Sequence, residues 1–202
     1  MKNNTLSLLL LFISLTSFSQ NAVSYLSPVS SPQAVVSQNV GMTNITINYS
    51  SPGLKGRKVF GNLVPYNQLW RAGANSPTII KFSTNVIVGD KTLRAGEYAI
   101  AVIPTENGKW TIDLNSAGKY PFSYMSEGKL DQEAYNKDLA IGIEVSPEYW
   151  GNDTVIERLK YIIDANDNKT AIITLLWEDV LVRFEVDTMT EKHLKNFSNT
   201  LK

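Results

Sequence analysis

Apolar residues recur at every second position in several short segments of the chain, the pattern of a β-strand with one buried face. The segment TNITINYS, residues 43 to 50, places Ile45, Ile47 and Tyr49 on one side and polar residues on the other. LAIGIEVSP, residues 139 to 147, repeats the alternation. In residues 78 to 104, turn signals separate short β-branched runs, and we interpret this stretch as a meander of neighbouring strands.

The strand pattern predicts an all-β fold, an antiparallel sandwich or a barrel-like domain. Short strands follow one another at roughly ten-residue intervals, without the strand and helix alternation of a parallel sheet. Residues 169 to 186, KTAIITLLWEDVLVRFEV, predict a hairpin or a pair of adjacent strands. TVIERLKYIID, residues 154 to 164, fits the spacing of both a helix and a strand, and its β-rich surroundings favour a strand.

One helix is predicted, at the C-terminus over residues 188–202. Thr188 and Glu191 have the spacing of a capping box, and an apolar stripe follows at Leu194, Phe197 and Leu201. We expect this helix to lie across the sheet or to cover an edge strand.

The N-terminus has the features of a secretory signal peptide. Lys2 precedes the apolar run LSLLLLFISL, and Ser17 and Ser19 suit a cleavage site that would leave Gln20 first. We therefore expect residues 1–19 to be a signal peptide, 20–33 an extended tether and 34–187 the β domain. The mature protein would be periplasmic or extracellular, with no membrane span after cleavage.

Composition excludes several functional classes. Losing Lys2 with the signal peptide leaves 18 basic against 19 acidic residues, so no overall charge favours nucleic acid as a partner. The chain has no cysteine, and its single histidine, His193, falls in the predicted terminal helix. These counts exclude thiolate metal sites, cysteine nucleophiles and Ser-His-Asp catalysis, and we expect neither a metal nor a cofactor.

The connection between two predicted strands, residues 51–77, is the candidate site, because compact domains rarely contain loops of this length without a functional role. It carries four basic residues and no acidic one: Lys55, Arg57, Lys58 and Arg71. It also contains aromatic rings that could stack on a sugar or pack in a core.

In the functional interpretation, Arg71 clamps a small anion or a polar group of a carbohydrate. Trp70 and Tyr66 provide stacking faces, Asn75 an amide, and Thr78 a hydroxyl, while Lys55 and Arg57 form a basic rim. The alternative is structural: Arg71 pairs with a strand carboxylate such as Glu178, or binds backbone carbonyls and fixes the connection to the sheet.

Residues 32–187 resemble a known family. The blocks KGRxxFG, LVPY, WRxGAN and LxAGxY occur here as KGRKVFG, LVPY, WRAGAN and LRAGEY. They are similar to those of the domain-of-unknown-function family of exported Bacteroidetes proteins. The resemblance implies export and carries no assigned activity, so no catalytic residue is inherited.

Three functions remain open from the sequence. We favour a binding or structural module that uses the 51–78 loop, with no catalytic residue. The alternative is a metal-independent carbohydrate-active enzyme using two carboxylates from Glu97, Asp113, Glu144, Glu178 and Asp187. A third is a purely structural envelope protein. The triplets that begin at Asp153 and Asp187 resemble O-glycan acceptors at Thr154 and Thr188.

Overall fold

The computed structural model describes residues 28–151 and 155–201, which form two antiparallel sheets. Within these residues the first sheet has six strands, in the order β1 (Gln33–Val40), β2 (Thr43–Ser50), β3 (Thr78–Phe82), β6 (Gly96–Ile103), β7 (Trp110–Asn115) and β10 (Leu139–Val145). The second sheet has the order β12 (Ile156–Asp164), β13 (Thr170–Glu178), β14 (Val180–Asp187), β4 (Val86–Val88) and β5 (Lys91–Leu93), and β11 (Glu148–Tyr149) also pairs with β14.

One hydrophobic core contains side chains from both sheets. Ile47, Val102 and Leu114 of the first sheet and Leu159 and Val182 of the second are fully buried within it. Complete burial of each such side chain contributes about 1.5–3 kcal/mol relative to exposure. The sheets do not close into a barrel, so the predicted all-β class is confirmed as a sandwich.

Period-two patterning located the strands correctly where one face is buried. In β2, Ile45, Ile47 and Tyr49 are buried while the residues between them are partly exposed. The ambiguous segment is a strand, as favoured: Leu159, Tyr161 and Ile163 of β12 are buried in alternation. The predicted hairpin is β13 paired with β14.

The predicted meander over residues 78 to 104 is wrong in its pairing. β3 pairs directly with β6, whereas β4 and β5 leave the first sheet and extend the second next to β14. Val86 and Val88 are buried and anchor this short hairpin in the shared core. The alternation of residues indicates which face of a strand is buried and leaves its neighbour undetermined.

The C-terminal helix exists, but its predicted cap and packing are wrong. It spans Thr190–Thr200 (α2) and starts after Met189, with no side-chain cap. Thr188 is buried, and its hydroxyl donates instead to Lys169 O at 2.6 Å. The apolar stripe does not lie on a sheet: exposed fractions are 51% for Leu194, 55% for Phe197 and 73% for Leu201.

Several elements were not predicted from the sequence, the short strands β8 (Met125–Ser126), β9 (Lys129–Leu130) and β11 among them. Three others are larger. They are β1, a 3-10 helix at Pro121–Tyr124 and the helix Gln132–Asp138 (α1). A two-stranded ribbon, β8 with β9, lies between the two helices. Asp131 caps α1 by accepting a hydrogen bond from Ala134 N at 3.0 Å.

The predicted signal peptide and most of the tether lie outside the described residues, as does Thr154. The end of the tether is held where it meets the domain. Ser30 O accepts from Arg158 Nη1 (3.3 Å) and Ser31 O accepts from Asn75 Nδ2 (3.1 Å). Among the described residues, no helix combines the length and apolar character that crossing a membrane requires.

Candidate functional site

The connection is fixed to both sheets by backbone hydrogen bonds. Leu54 N donates to Glu157 O of β12 at 2.8 Å. Trp70 and Val102 of β6 exchange both backbone hydrogen bonds, at 2.8 and 2.7 Å. These bonds tie residues 51–77 across one end of the sandwich.

An aromatic cluster packs beneath the connection. The Trp70 ring stacks on Trp177 with centroids 5.8 Å apart and planes at 22°. Phe60 lies 4.7 Å from Trp110 and contacts both other rings edge-on. The indole N–H of Trp70 donates to Gly73 O at 3.2 Å, so its polar atom already has a partner within the connection.

A cleft of about 760 Å³ opens at this end of the domain. One wall is the connection, and the facing wall is the ribbon segment, which we define as residues 120–130. Ser30 and Ser31 and the ring of Trp177 complete the lining. Ligand pockets commonly measure 300 to 1,000 Å³, so this cleft is large enough for a small organic molecule.

Arg71 lies in the cleft beneath the ribbon segment. Its guanidinium carbon is 4.9 Å from the centre of the Tyr120 ring, a cation–π contact. Burial lowers the pKa of Arg71 from its ordinary value, and the side chain remains charged. Within residues 28–151 and 155–201, no carboxylate lies within 4 Å of the Arg71 guanidinium and no backbone carbonyl accepts a hydrogen bond from it. Neither of the structural partners predicted for Arg71 is therefore used. Glu178 accepts instead from Val59 N at 3.1 Å.

The turn after Arg71 is strained and held in place. Ala72 adopts a left-handed conformation (φ 53°), which costs a residue with a Cβ about 1–2 kcal/mol. Its carbonyl accepts from Thr78 Oγ1 (3.0 Å) and Tyr161 OH (2.9 Å). These two buried bonds fix the backbone that carries Arg71.

Buried polar atoms without a partner mark the same place. In the described part of the chain there are two, Arg71 Nε and Trp177 Nε1, and both residues line the cleft. Folded proteins satisfy nearly all buried donors, because leaving one unpaired costs about 1–3 kcal/mol. The wall of the cleft therefore contains two buried donors that the described chain leaves unpaired.

The charge of the lining has one sign. Lys55, Arg57 and Arg71 line the cleft, and no Asp or Glu of the described residues does. Arg57 is partly occupied, since its Nε and Nη2 donate to Leu54 O and Gly53 O at 2.9 and 2.8 Å. Lys55 is exposed at the rim. The cleft thus favours a negative ligand.

The structure brings five of the seven candidate residues to the cleft: Arg71, Trp70, Asn75, Lys55 and Arg57. Asn75 holds the tether through Ser31. Tyr66 and Thr78 do not line it. Tyr66 lies on another face, where burial and the nearby Glu106, Glu178 and Asp179 raise its pKa. Thr78 supports the Ala72 turn.

Sequence reasoning missed the facing wall. Tyr120, Phe122, Met125 and Leu130 come from the ribbon segment, about fifty residues after Arg71 in the chain. The dense aromatic run YPFSYM, residues 120 to 125, was the available signal. Its position opposite the connection depends on long-range packing that no local pattern encodes.

The candidate carboxylates lie away from the cleft. Glu97 pairs with Lys81 (3.2 Å) and Glu144 with Lys109 (3.2 Å), both on the surface. Asp113 is buried on β7, where burial raises the pKa of its carboxyl and a hydrogen bond from Tyr135 OH (2.9 Å) partly offsets the rise.

Two further predictions concern residues at the opposite end of the sandwich. Asp187 accepts a hydrogen bond from Met189 N at 2.7 Å. Thr188 is fully buried, so the folded chain gives no access for a glycan there. Neither residue belongs to the cleft.

Comparison with known families gives one match. A family described as Protein of unknown function (DUF2911) matches residues 31–186. The matched span contains every residue of the cleft lining except Ser30, and ends before α2. No curated protein and no solved structure matches the chain. The resemblance noted from the sequence is confirmed at the level of a family without an assigned function, and the chain belongs to the family described as Protein of unknown function (DUF2911).

Proposed function

We propose that this protein is an exported binding module that takes a small anionic ligand in the Arg71 cleft. The observation that carries the proposal is the Arg71 guanidinium, which forms no ion pair with the described residues and whose Nε has no hydrogen-bond partner among them, in a lining with basic and no acidic side chains among the described residues.

An unpaired, partly desolvated guanidinium destabilises the folded protein when no ligand is bound. Transferring charge out of water destabilises a protein unless a partner compensates. A bound anion would supply that partner to the guanidinium. Arg71 thus resembles a group retained for binding, because its stabilising contact with the described chain is the Tyr120 ring.

The export part of the proposal rests on the N-terminal pattern, residues 1–19. The folded domain begins at Gln33, so cleavage before Gln20 would remove no element of either sheet. Mass spectrometry of protein from the periplasm or the medium tests this directly. A mature chain that starts at Gln20 is expected, and a chain that retains residues 1–19 would contradict export.

Binding is tested by thermal shift and calorimetry with a panel of anions and neutral analogues. The panel contains phosphate, acetate, benzoate, octanoate and glucuronate, with benzamide, octanamide and glucose as counterparts. At least one anion should raise the Tm of the wild type, and Arg71→Met should weaken its binding about 10- to 100-fold, the value of a charge-assisted hydrogen bond.

Arg94→Met is the matched control. Arg94 is exposed beside the turn into β6, whose first residue, Gly96, is about 20 Å along the strand from the Trp70 pairing at Val102. This variant should bind like the wild type. If every anion shifts the two variants equally, or none binds better than its neutral analogue, the binding function is wrong and a purely structural role is favoured.

A further inference from the structure

Resting on the proposed function, we infer that the cleft binds a small amphipathic carboxylic acid. Its carboxylate sits at Arg71, and its apolar chain lies between the connection and the ribbon segment. The inference adds a ligand class to the anion site, and it comes from three properties of the lining: donor type, charge number and exposed apolar surface.

The unpartnered groups specify the polar end of the ligand. The N–H groups of the Arg71 guanidinium donate hydrogen bonds and accept none. Their complement is a group that only accepts, and an ionised carboxylate has two such oxygens. Its planar pair of oxygens also matches the guanidinium fork in a bidentate arrangement.

The number of available cations favours a monoanion. Of the three basic residues in the described lining, Arg57 already binds two backbone carbonyls and Lys55 is exposed at the rim. Arg71 makes no hydrogen bond to the described residues. A phosphate dianion generally draws on several cations or a cluster of backbone N–H groups, whereas one guanidinium neutralises one carboxylate.

The remaining wall is apolar and exposed. Leu63 on the connection is 41% exposed, and Phe122 and Met125 on the ribbon segment are 62% and 39% exposed. All three line the same cleft, together with Pro65 and Leu130. Single exposed apolar side chains are normal on a protein surface. Several large ones grouped around one concave surface indicate a site for an apolar ligand.

A sugar fits the cleft less well than an alkyl or aryl acid. Carbohydrate sites present an open aromatic face for stacking, yet Trp70 is stacked on Trp177 and Tyr66 does not line the cleft. The exposed ring of the described lining is Phe122, which lies against the Tyr120 ring with centroids 5.0 Å apart. The lining therefore combines one anion position with a surface suited to methylene groups or a ring.

Calorimetry of the wild-type mature protein with octanoate, octanamide, acetate and glucuronate tests the ligand class. Octanoate should bind at least tenfold more tightly than octanamide, which lacks the charge, and than acetate, which lacks the chain. Across the series from butanoate to octanoate, Kd should fall about fourfold per added methylene that becomes buried.

Two phenylalanine variants separate the apolar wall from general effects. Phe122→Ser should weaken octanoate at least fivefold and leave acetate unchanged. Phe197→Ser is the control, because Phe197 is equally solvent-exposed but lies on α2, at the other end of the sandwich. It should leave both affinities unchanged.

The outcomes distinguish the two proposals. If acetate or glucuronate binds as tightly as octanoate and Arg71→Met abolishes the binding, the anion site stands and the amphipathic class is overturned. If octanoate and octanamide bind equally and Arg71→Met has no effect, both proposals are overturned. If no carboxylate of the panel binds, benzoate included, the amphipathic class is overturned, and if phosphate also fails to bind, the anion site is overturned with it.

Discussion

Replacing Arg71 with methionine should leave the ligand-free protein as stable as the wild type or slightly more stable. Methionine keeps an unbranched apolar stem and removes the guanidinium. The change relieves an unpaired buried donor, worth about 1–3 kcal/mol and at the low end here because the Arg71 side chain is only partly buried. It loses the Tyr120 contact, worth about 0.5–1 kcal/mol. No ion pair within the described residues is broken.

The net effect is a gain of about 0 to 1 kcal/mol in the free energy of unfolding, since the two terms nearly cancel. For a domain of this size, 1 kcal/mol corresponds to roughly 2–4 °C in Tm. Urea unfolding followed by tryptophan fluorescence, with a thermal melt beside it, measures the change. The protein must be free of bound ligand, because a ligand that binds the wild type alone would add apparent stability.

Arg183→Met is the comparison for Arg71→Met, because it removes an arginine that does have a carboxylate partner. Arg183 forms a two-pronged pair with Glu148, at 2.9 Å from Nε and 2.6 Å from Nη2, and this exposed pair is expected to contribute at most about 1 kcal/mol. If Arg71→Met instead costs more than about 2 kcal/mol with an unchanged denaturant slope, Arg71 is a structural clamp, and the case for a binding role is refuted.

Three further predictions concern the scaffold. Burial raises the folded-state pKa of Asp113, so its contribution to stability is present below about pH 4 and is lost as the pH rises through the folded pKa. Asp113→Asn should therefore become more stable to urea relative to the wild type as the pH rises from 3 to 7. Plots of unfolding free energy against pH that run parallel for the two proteins would contradict this. Gly61→Ala should cost about 1–3 kcal/mol, because φ is 84° and a Cβ would lie 2.6 Å from an aromatic ring; the control Gly118→Ala, also at positive φ but with open space around it, should cost less in the same thermal melts. Leu194→Ser on α2 should change the free energy of unfolding by less than about 0.5 kcal/mol. Leu159→Ala in the core should lower it by about 2–5 kcal/mol. Equal losses for the two variants in chemical denaturation would mean that the apolar stripe of α2 is packed.

The strands were predictable where one face is buried and the other is wet. In β2 and β12 the apolar residues alternate because the core is on one side only, so the sequence carries the period directly. The pairing of β3 with β6 was not predictable, since the β4–β5 hairpin satisfies the same local pattern in either sheet. Likewise, the Thr188 hydroxyl could accept from a helix N–H as a cap or donate to a carbonyl, and it donates to Lys169 O because β14 carries it into the core.

The site was half visible in the sequence. A long, basic and acid-free connection located Arg71, Lys55 and Arg57, because local composition records an excess of charge. The other half required the chain to fold. Nothing near Arg71 indicates that Tyr120 will lie above its guanidinium, or that Trp177 will lie beneath the ring of Trp70.

The hydrogen bonds that fix Ser30 and Ser31 beside the cleft determine where a tag or a surface attachment should be placed. Because these residues line the cleft, the polypeptide enters the domain beside the opening, and any affinity tag or fusion partner placed upstream would crowd it. The helix that precedes the C-terminus, α2, starts at the far end, roughly 25 Å away along β13. Immobilising the protein through that terminus would keep the opening directed toward solution, which makes it the orientation of choice for surface-based screening.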